Sequence, residues 1–214
     1  MDDSVVIIDY GCGNVRSLSR ALSAIGVNNV CLTSNPEVIL AAQRLILPGV
    51  GSFGHAMANL NERNLIDPIV EFALNGKPLM GICLGMQLFF DYSEELGNHV
   101  GLGLIPGSVK LLRVKKESGS VDKVPNVGWA PITPSTEGCW TGTILEPLSS
   151  GVYTYFVHSF VAKPTLDHHV LAVSSHNGKR FCAIARRNNI FGCQFHPEKS
   201  SLFGLKILKY FIKQ

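Results

Sequence analysis

Cys83 stands between two glycines in Gly81-Ile82-Cys83-Leu84-Gly85, after an apolar run and before a stretch with helical spacing. Cysteine is among the most often buried residue types, so packing and chemistry both fit it. The surrounding pattern has the form of a nucleophile elbow, the sharp strand-to-helix turn on which a hydrolase places its serine. Such a turn strains the backbone and brings neighbouring chain close, which flanking glycines tolerate. The helix start behind it offers free N–H groups and a positive dipole end, which favour thiolate over thiol. It also places the N–H of Leu84 where an oxyanion would form.

A nucleophile needs a base, and the base needs orienting. Phe195-His196-Pro197-Glu198 supplies candidates for both. Residues two apart in an extended segment point to the same side, so Glu198 can lie beside the His196 ring, with Pro197 stiffening the pair. A lone His-x-Glu also fits a solvated surface histidine; next to an elbow cysteine it fits a Cys-His-Glu triad.

The third element is Pro48-Gly49-Val50-Gly51-Ser52-Phe53-Gly54, which matches G-x-G-x-x-G. A dinucleotide site requires that motif after a first strand, with an acidic residue at a later strand tip. Here it follows the third strand, and the acidic residue at about the right distance, Asp67, falls in a helical segment. Tyr10-Gly11-Cys12-Gly13-Asn14 follows the first strand but lacks the third glycine. The Pro48–Gly51 loop reads better as a backbone wall offering N–H groups to an oxyanion and a small polar substrate.

These groups need a scaffold, and the first hundred residues alternate strand and helix signals. Ser4–Ile8 is a continuous β-branched run, the pattern of a strand covered on both faces. A helix follows, with Val15, Leu18, Leu22 and Ile25 on one stripe. Val30–Leu32 reads as a second strand, and Asn35-Pro36 as a helix cap and first turn. Arg44–Leu47 is a third strand. Helical segments then lead to Leu65–Asn75, before a fourth strand at Pro78–Ile82 and a helix at Leu84–Tyr92. This alternation calls for a mostly parallel sheet with helices on both faces, whose sites lie at strand ends.

After about residue 100 the pattern turns antiparallel. Val109–Val114, Val152–Val157, Val170–Ser174, Phe181–Ala185 and Ile190–Gln194 are strand-like, and His176–Lys179 carries an Asn-Gly hairpin signal. Lys115–Lys123 reads as a polar loop and Ser201–Lys213 as a closing helix. The expected architecture is one α/β domain over 1–214, a three-layer sandwich with an antiparallel elaboration.

With 214 residues, 46% hydrophobic and 16% charged, the chain can bury a sizeable core. The net charge of +3 is small and dispersed, which argues against a nucleic-acid partner. No apolar run approaches the roughly 18 residues of a membrane span. Six scattered cysteines without a CxxC pair, and no signal-peptide pattern, suggest free thiols in a reducing cytoplasm. Cys12, Cys31, Cys182 and Cys193 read as packing residues, and Cys139 has no evident role. His168-His169 lacks companion ligands at metal-site spacing and reads as a solvated turn. His158 fits a core or a cavity-lining histidine. No metal or cofactor is expected.

The chain resembles the class I (triad) glutamine amidotransferases, and more narrowly the glutaminase subunits of imidazole glycerol phosphate synthases. The similarity runs nearly end to end, through Ile8–Asn14, Leu45–Phe53, Gly81–Phe90, Gly101–Val109, Val127–Trp129, Tyr155–Phe160 and Gln194–Ser200. It implies a flavodoxin-like fold in which Cys83 attacks the side-chain amide of glutamine, giving a γ-glutamyl thioester and ammonia. His196 would relay protons, Glu198 orient it, and the N–H groups of Leu84 and the Val50 region form the oxyanion hole. Gly51, Gln87, Glu95, Ser159 and Phe160 match glutamine-holding positions. Asn14, Trp129 and Lys199 match positions facing a (β/α)8-barrel synthase subunit, to which ammonia would pass directly in histidine biosynthesis.

Two departures bear on that partner. Asn126-Val127-Gly128-Trp129-Ala130 stands where the family usually reads His-Met-Gly-Trp-Asn, and Phe160 replaces a tyrosine. Related glutaminases supply surface-polysaccharide amidation enzymes instead, so the acceptor is the open point of the resemblance.

Overall fold

The computed structural model describes residues 4–113 and 125–214, so the predicted loop Lys115–Lys123 lies outside the described residues. The β-branched run Val5–Ile8 forms β1, buried at every position. Its alternate residues serve two cores: Val5 and Ile7 join one apolar cluster, Val6 and Ile8 the other. This is the signature of a strand sandwiched between two layers.

Strand and helix then alternate as expected through α1 (Val15–Ala24), β2 (Val30–Thr33), α2 (Pro36–Ala41), β3 (Leu45–Gly49), α3 (Phe53–Glu62), α4 (Ile66–Leu74) and β4 (Leu79–Cys83). Asn35 caps α2 by accepting the Glu37 N–H at 2.9 Å, with Pro36 at the first helical position. The helix predicted over Leu84–Tyr92 is one turn, α5 (Leu84–Gln87). It ends because the carbonyls of Leu88, Phe89 and Phe90 accept the amides of Leu102, Leu104 and Gly103, leaving none for a continuing helix.

Short strands β5 (Tyr92–Ser93) and β6 (His99–Val100) lead to β7 (Gly107–Leu111), β8 (Asn126–Pro134), β9 (Val152–His158), β10 (Phe160–Pro164), β11 (Val170–His176), β12 (Lys179–Arg187) and β13 (Ile190–Cys193), before α6 (Ser201–Phe211). The sequence did not single out β8 or β10, whose glycine and prolines (Gly128, Pro131, Pro134, Pro164) mask the strand pattern. The predicted Asn-Gly turn is present, with Asn177 and Gly178 both at positive φ.

A nine-stranded mixed sheet runs β2-β1-β3-β4-β13-β12-β11-β8-β9, and a second sheet runs β10-β7-β5-β6. The first five strands of the large sheet are parallel and the rest antiparallel. Edge strand β9 does not end bare, since the His196 N–H donates to the Tyr155 carbonyl and the Tyr155 N–H to Ser200 Oγ. β2, the opposite edge, is poorly covered. Cys31 there is exposed, in contrast to the packing role read from its apolar neighbours.

In the register, Gly49 pairs with Cys83 and Cys193 with Ile82, so β3, β4 and β13 end side by side. Adjacent parallel strand ends are where α/β sheets present their sites. The closeness depends on Gly85, where a Cβ would collide with the Leu47 carbonyl. Gly85→Ala is expected to cost about 1–3 kcal/mol of stability, read from the urea midpoint, because backbone and not a flexible side chain must yield.

Candidate active site

Cys83 closes β4 at φ 54° and ψ −109°. A non-glycine residue held there stores on the order of 1–3 kcal/mol of strain, which the surroundings must enforce. They do so by packing backbone on backbone. A Cβ on Gly49 would lie 2.6 Å from the Gly85 nitrogen, and one on Gly81 would lie 2.6 Å from the Phe89 ring. Tyr10, fully buried, donates its hydroxyl to the Pro48 carbonyl at 2.8 Å and fastens the end of β3 against the elbow. The elbow form read from the sequence is therefore present, although the helix behind it is a single turn and its dipole correspondingly short.

His196 leaves β13 in an extended conformation, and Pro197–Lys199 immediately winds into a one-turn 3-10 helix. That turn, in place of the continuous extended segment predicted, brings the Glu198 carboxylate 2.8 Å from His196 Nδ1. Both side chains are nearly inaccessible, at 6% and 3% exposure. Burial opposes charge on the imidazole, but the facing Cys83 sulfur and the Glu198 carboxylate outweigh it and raise the His196 pKa to about 10. At neutral pH the ring is thus an imidazolium, set between the Cys83 sulfur and the Glu198 carboxylate. Glu198 fixes its orientation through Nδ1, which leaves Nε2 as the nitrogen available to the cysteine.

A cavity of about 340 Å³ opens in front of this pair. Cys83, His196, Val50, Gly51, Leu84, Gln87, Glu95, Ser159, Phe160, Asn14 and Lys199, all singled out from the sequence, line it together. Glu198 lies behind His196, and Trp129 stands apart on the exposed face of β8. The Glu95 carboxylate accepts the Phe53 N–H at 2.7 Å, anchoring a negative charge at the cavity rim. Gln87 Nε2 donates both to the Phe160 carbonyl and to Gln194 Oε1, each at 3.0 Å, which leaves Gln87 Oε1 free to accept from a ligand. Asn14 caps α1 by accepting the Ser17 N–H, which limits its freedom at the cavity wall.

The structure adds residues that the sequence left without a role. His158 lines the cavity yet is held in the core, hydrogen-bonded at both ring nitrogens. Gln194, wholly buried, lies 3.9 Å from Cys83 Sγ. Its position in Gln194-Phe195-His196 was a signal, one residue removed from a neighbour of the base. His169 is buried and meets the His168 ring edge-on, where a solvated turn was expected, because the 3-10 turn Asp167–His169 folds it inward. Among the described residues no group of three or more His, Cys, Asp or Glu could hold a metal ion, and no helix is long and apolar enough to cross a membrane.

The raised His196 pKa carries a sign for stability. The folded value exceeds the ordinary 6.5, so the charge interaction stabilises the fold fully below about pH 6.5 and fades as pH rises through about 10. The melting temperature of the wild type should therefore exceed that of Glu198→Gln most below pH 6.5 and converge with it towards pH 10. Thermal scans across that range check this; a gap independent of pH would contradict a charged pair.

The family model for glutamine amidotransferase class-I matches residues 6–214. The chain is 45% identical over 213 residues to the imidazole glycerol phosphate synthase subunit HisH 1 of Legionella pneumophila (strain Lens), covering 98% of this chain and 99% of that protein. It is 47% identical over 207 residues to the HisH subunit of Lacticaseibacillus casei (strain BL23), covering 97% and 94%. Among solved structures, a glutamine amidotransferase superposes with a TM-score of 0.72 at 17% identity, covering 98% of both chains. The PurLQS structure from Thermotoga maritima gives 0.67 at 19%, covering 100% and 99%; at such identities these two speak for the fold. With the fold, the elbow and the buried pair in place, the chain belongs to the class-I glutamine amidotransferases, in the branch of the HisH subunits of imidazole glycerol phosphate synthase.

Proposed function

We propose that this chain hydrolyses L-glutamine to glutamate and ammonia at Cys83 and delivers the ammonia to a synthase subunit in histidine biosynthesis. The observation that carries the reading is the buried His196–Glu198 pair set against a strained Cys83 at the floor of the cavity. The His196 imidazolium faces the Cys83 sulfur, an arrangement that favours the thiolate, which is the attacking form. Cys83 Sγ adds to the side-chain amide carbon, and the carbonyl oxygen takes up negative charge. The N–H groups of Leu84 and Val50 are the donors to that oxyanion, one from the elbow and one from the end of β3. As the tetrahedral intermediate collapses, His196 gives its proton to the departing nitrogen and ammonia leaves. His196, now neutral, then takes a proton from water, which attacks the thioester and frees glutamate.

The remaining lining residues suit the rest of the substrate. Glutamine carries an α-ammonium and an α-carboxylate, and the Glu95 carboxylate and Gln87 Oε1 are acceptors for the first. Gly51, Ser159 and the Phe160 backbone complete the wall, where polar backbone supports an amino-acid ligand better than apolar side chains would.

Ammonia is mostly protonated in neutral water, so direct transfer to an acceptor protein is chemically favoured. The β8–β9 hairpin offers a docking face beside the cavity mouth. The cross-strand register puts Val127 opposite Val157 and Trp129 opposite Tyr155, and Val127, Trp129 and Tyr153 are more than half exposed. Lys199 extends over the Tyr155 ring, and Asn14 and Val50 complete the rim. A (β/α)8-barrel synthase subunit is the partner we assign to this face, with the cytoplasm as the place of the reaction. Complementation of a histidine auxotroph lacking its glutaminase subunit tests the pathway; failure would favour a polysaccharide-linked acceptor.

Cys83→Ala is expected to lower glutamine turnover in the presence of the synthase subunit by roughly 10⁴-fold or more, with the fold retained in thermal scans. Full turnover in that variant would remove Cys83 from the mechanism. Trp129→Ala should weaken the complex by about 2 kcal/mol, or ~30-fold in Kd by calorimetry, if this exposed aromatic anchors the interface.

A further inference from the structure

A backbone carbonyl only accepts hydrogen bonds, and that of Phe160 fixes the direction of a buried polar chain. It lies 3.0 Å from His158 Nδ1, so that nitrogen carries the ring proton. Burial holds the ring neutral, with its pKa down at about 4, and its bare Nε2 accepts from Asn126 Nδ2 at 3.0 Å. The same carbonyl lies 3.0 Å from the Gln87 side-chain amide, which must present nitrogen there. The second hydrogen of that nitrogen goes to Gln194 Oε1. The Gln194 amide has then no choice of orientation, and its nitrogen faces Cys83 Sγ at 3.9 Å.

The sulfur therefore meets two buried neighbours of opposite character. The Val157 carbonyl, 3.6 Å away, can only receive an S–H. The Gln194 amide nitrogen can only give an N–H. The first stabilises the thiol and the second the thiolate. Gln194 is wholly buried, so water does not compete for its N–H. The titratable groups around the sulfur are His196 with Glu198 behind it, Glu95 across the cavity, and Tyr10, whose hydroxyl is pushed up by burial and engaged by Pro48.

We propose that Gln194 is a positioning residue for the nucleophile, donating to the Cys83 thiolate in a direction imposed by the Phe160 carbonyl through Gln87. This rests on Cys83 being the nucleophile. The other donor to the Phe160 carbonyl, His158, is held by Asn126 on β8, beside the face assigned to partner docking.

The test uses Gln194→Met, which keeps volume and loses the amide, and Gln194→Glu, which keeps the acceptor for Gln87 and turns the donor into an acceptor. Alkylation of Cys83 by iodoacetamide, followed by mass spectrometry of its peptide, should slow about tenfold at pH 7 in both variants, since a hydrogen bond to a charged group is worth about that factor. The deficit should close as the pH rises and thiolate forms without help. Turnover should fall with kcat in both variants, and in Gln194→Glu, which keeps the acceptor for Gln87, KM for glutamine should stay within about twofold. Alkylation within twofold of the wild type at every pH, in variants that melt cooperatively, overturns the proposal. Should both variants fail to fold, the unmutated protein decides. The side-chain amide resonance of Gln194 must shift between wild type and Cys83→Ser and follow the alkylation profile with pH; a resonance blind to the sulfur overturns the proposal. Loss of turnover in Cys83→Ala with unchanged alkylation in the Gln194 variants would sink this inference alone, whereas retained turnover in Cys83→Ala would sink the nucleophile reading beneath it.

Discussion

The contact of backbone on backbone between the end of β3 and the elbow is the constraint on which the site depends. Gly49, Gly81 and Gly85 have no room for a methyl group, and their closeness keeps Cys83 at a φ that a cysteine does not adopt freely. Were the strands a fraction of an ångström further apart, the turn could relax and the sulfur would leave the line between His196 and the cavity. Adjacency of β3, β4 and β13 in one sheet supplies the rigidity. The site is thus carried by ladder hydrogen bonds, which do not hop between rotamers as side chains do.

Electrostatics is layered on that frame. Glu198 and Cys83 flank His196 inside a region that burial has made hostile to an isolated charge, and the three are tolerable only together. The neighbouring chain from Asn126 to Gln194 is neutral throughout, each donor facing an acceptor. Two kinds of polar order therefore meet at one sulfur: a charged pair set by proximity and a neutral chain set by direction. His158 serves the second because burial denies it charge, although it differs from His196 only in its neighbours.

What could be read from the sequence follows from locality. The β-branched run of β1, the Asn35-Pro36 cap and the Asn177-Gly178 turn declare themselves within a few residues, and the structure has them where expected. Cys83, the Pro48–Gly51 loop and His196-Pro197-Glu198 were legible because each carries its own short pattern, whereas Gln87, Glu95, Ser159, Phe160, Asn14 and Lys199 followed only from the family resemblance. The length of α5 was not, since it is decided by amides some fifteen residues later. Strands β8 and β10 were hidden by prolines that tertiary pairing accommodates. The role of Gln194 depends on which way an amide points, and that is settled by Phe160 and Gln87 from distant parts of the chain.

The end of the large sheet has a meaning outside chemistry. An exposed strand edge is a template for another chain, and β9 is an edge bearing apolar side chains. What blunts it is the segment that carries the base: the His196 amide and the Ser200 hydroxyl occupy the Tyr155 backbone. The residues that hold the imidazole thus also act as the guard of the sheet. A chain cut before His196 would lose more than turnover, because it would present a bare, sticky margin to every other copy in solution.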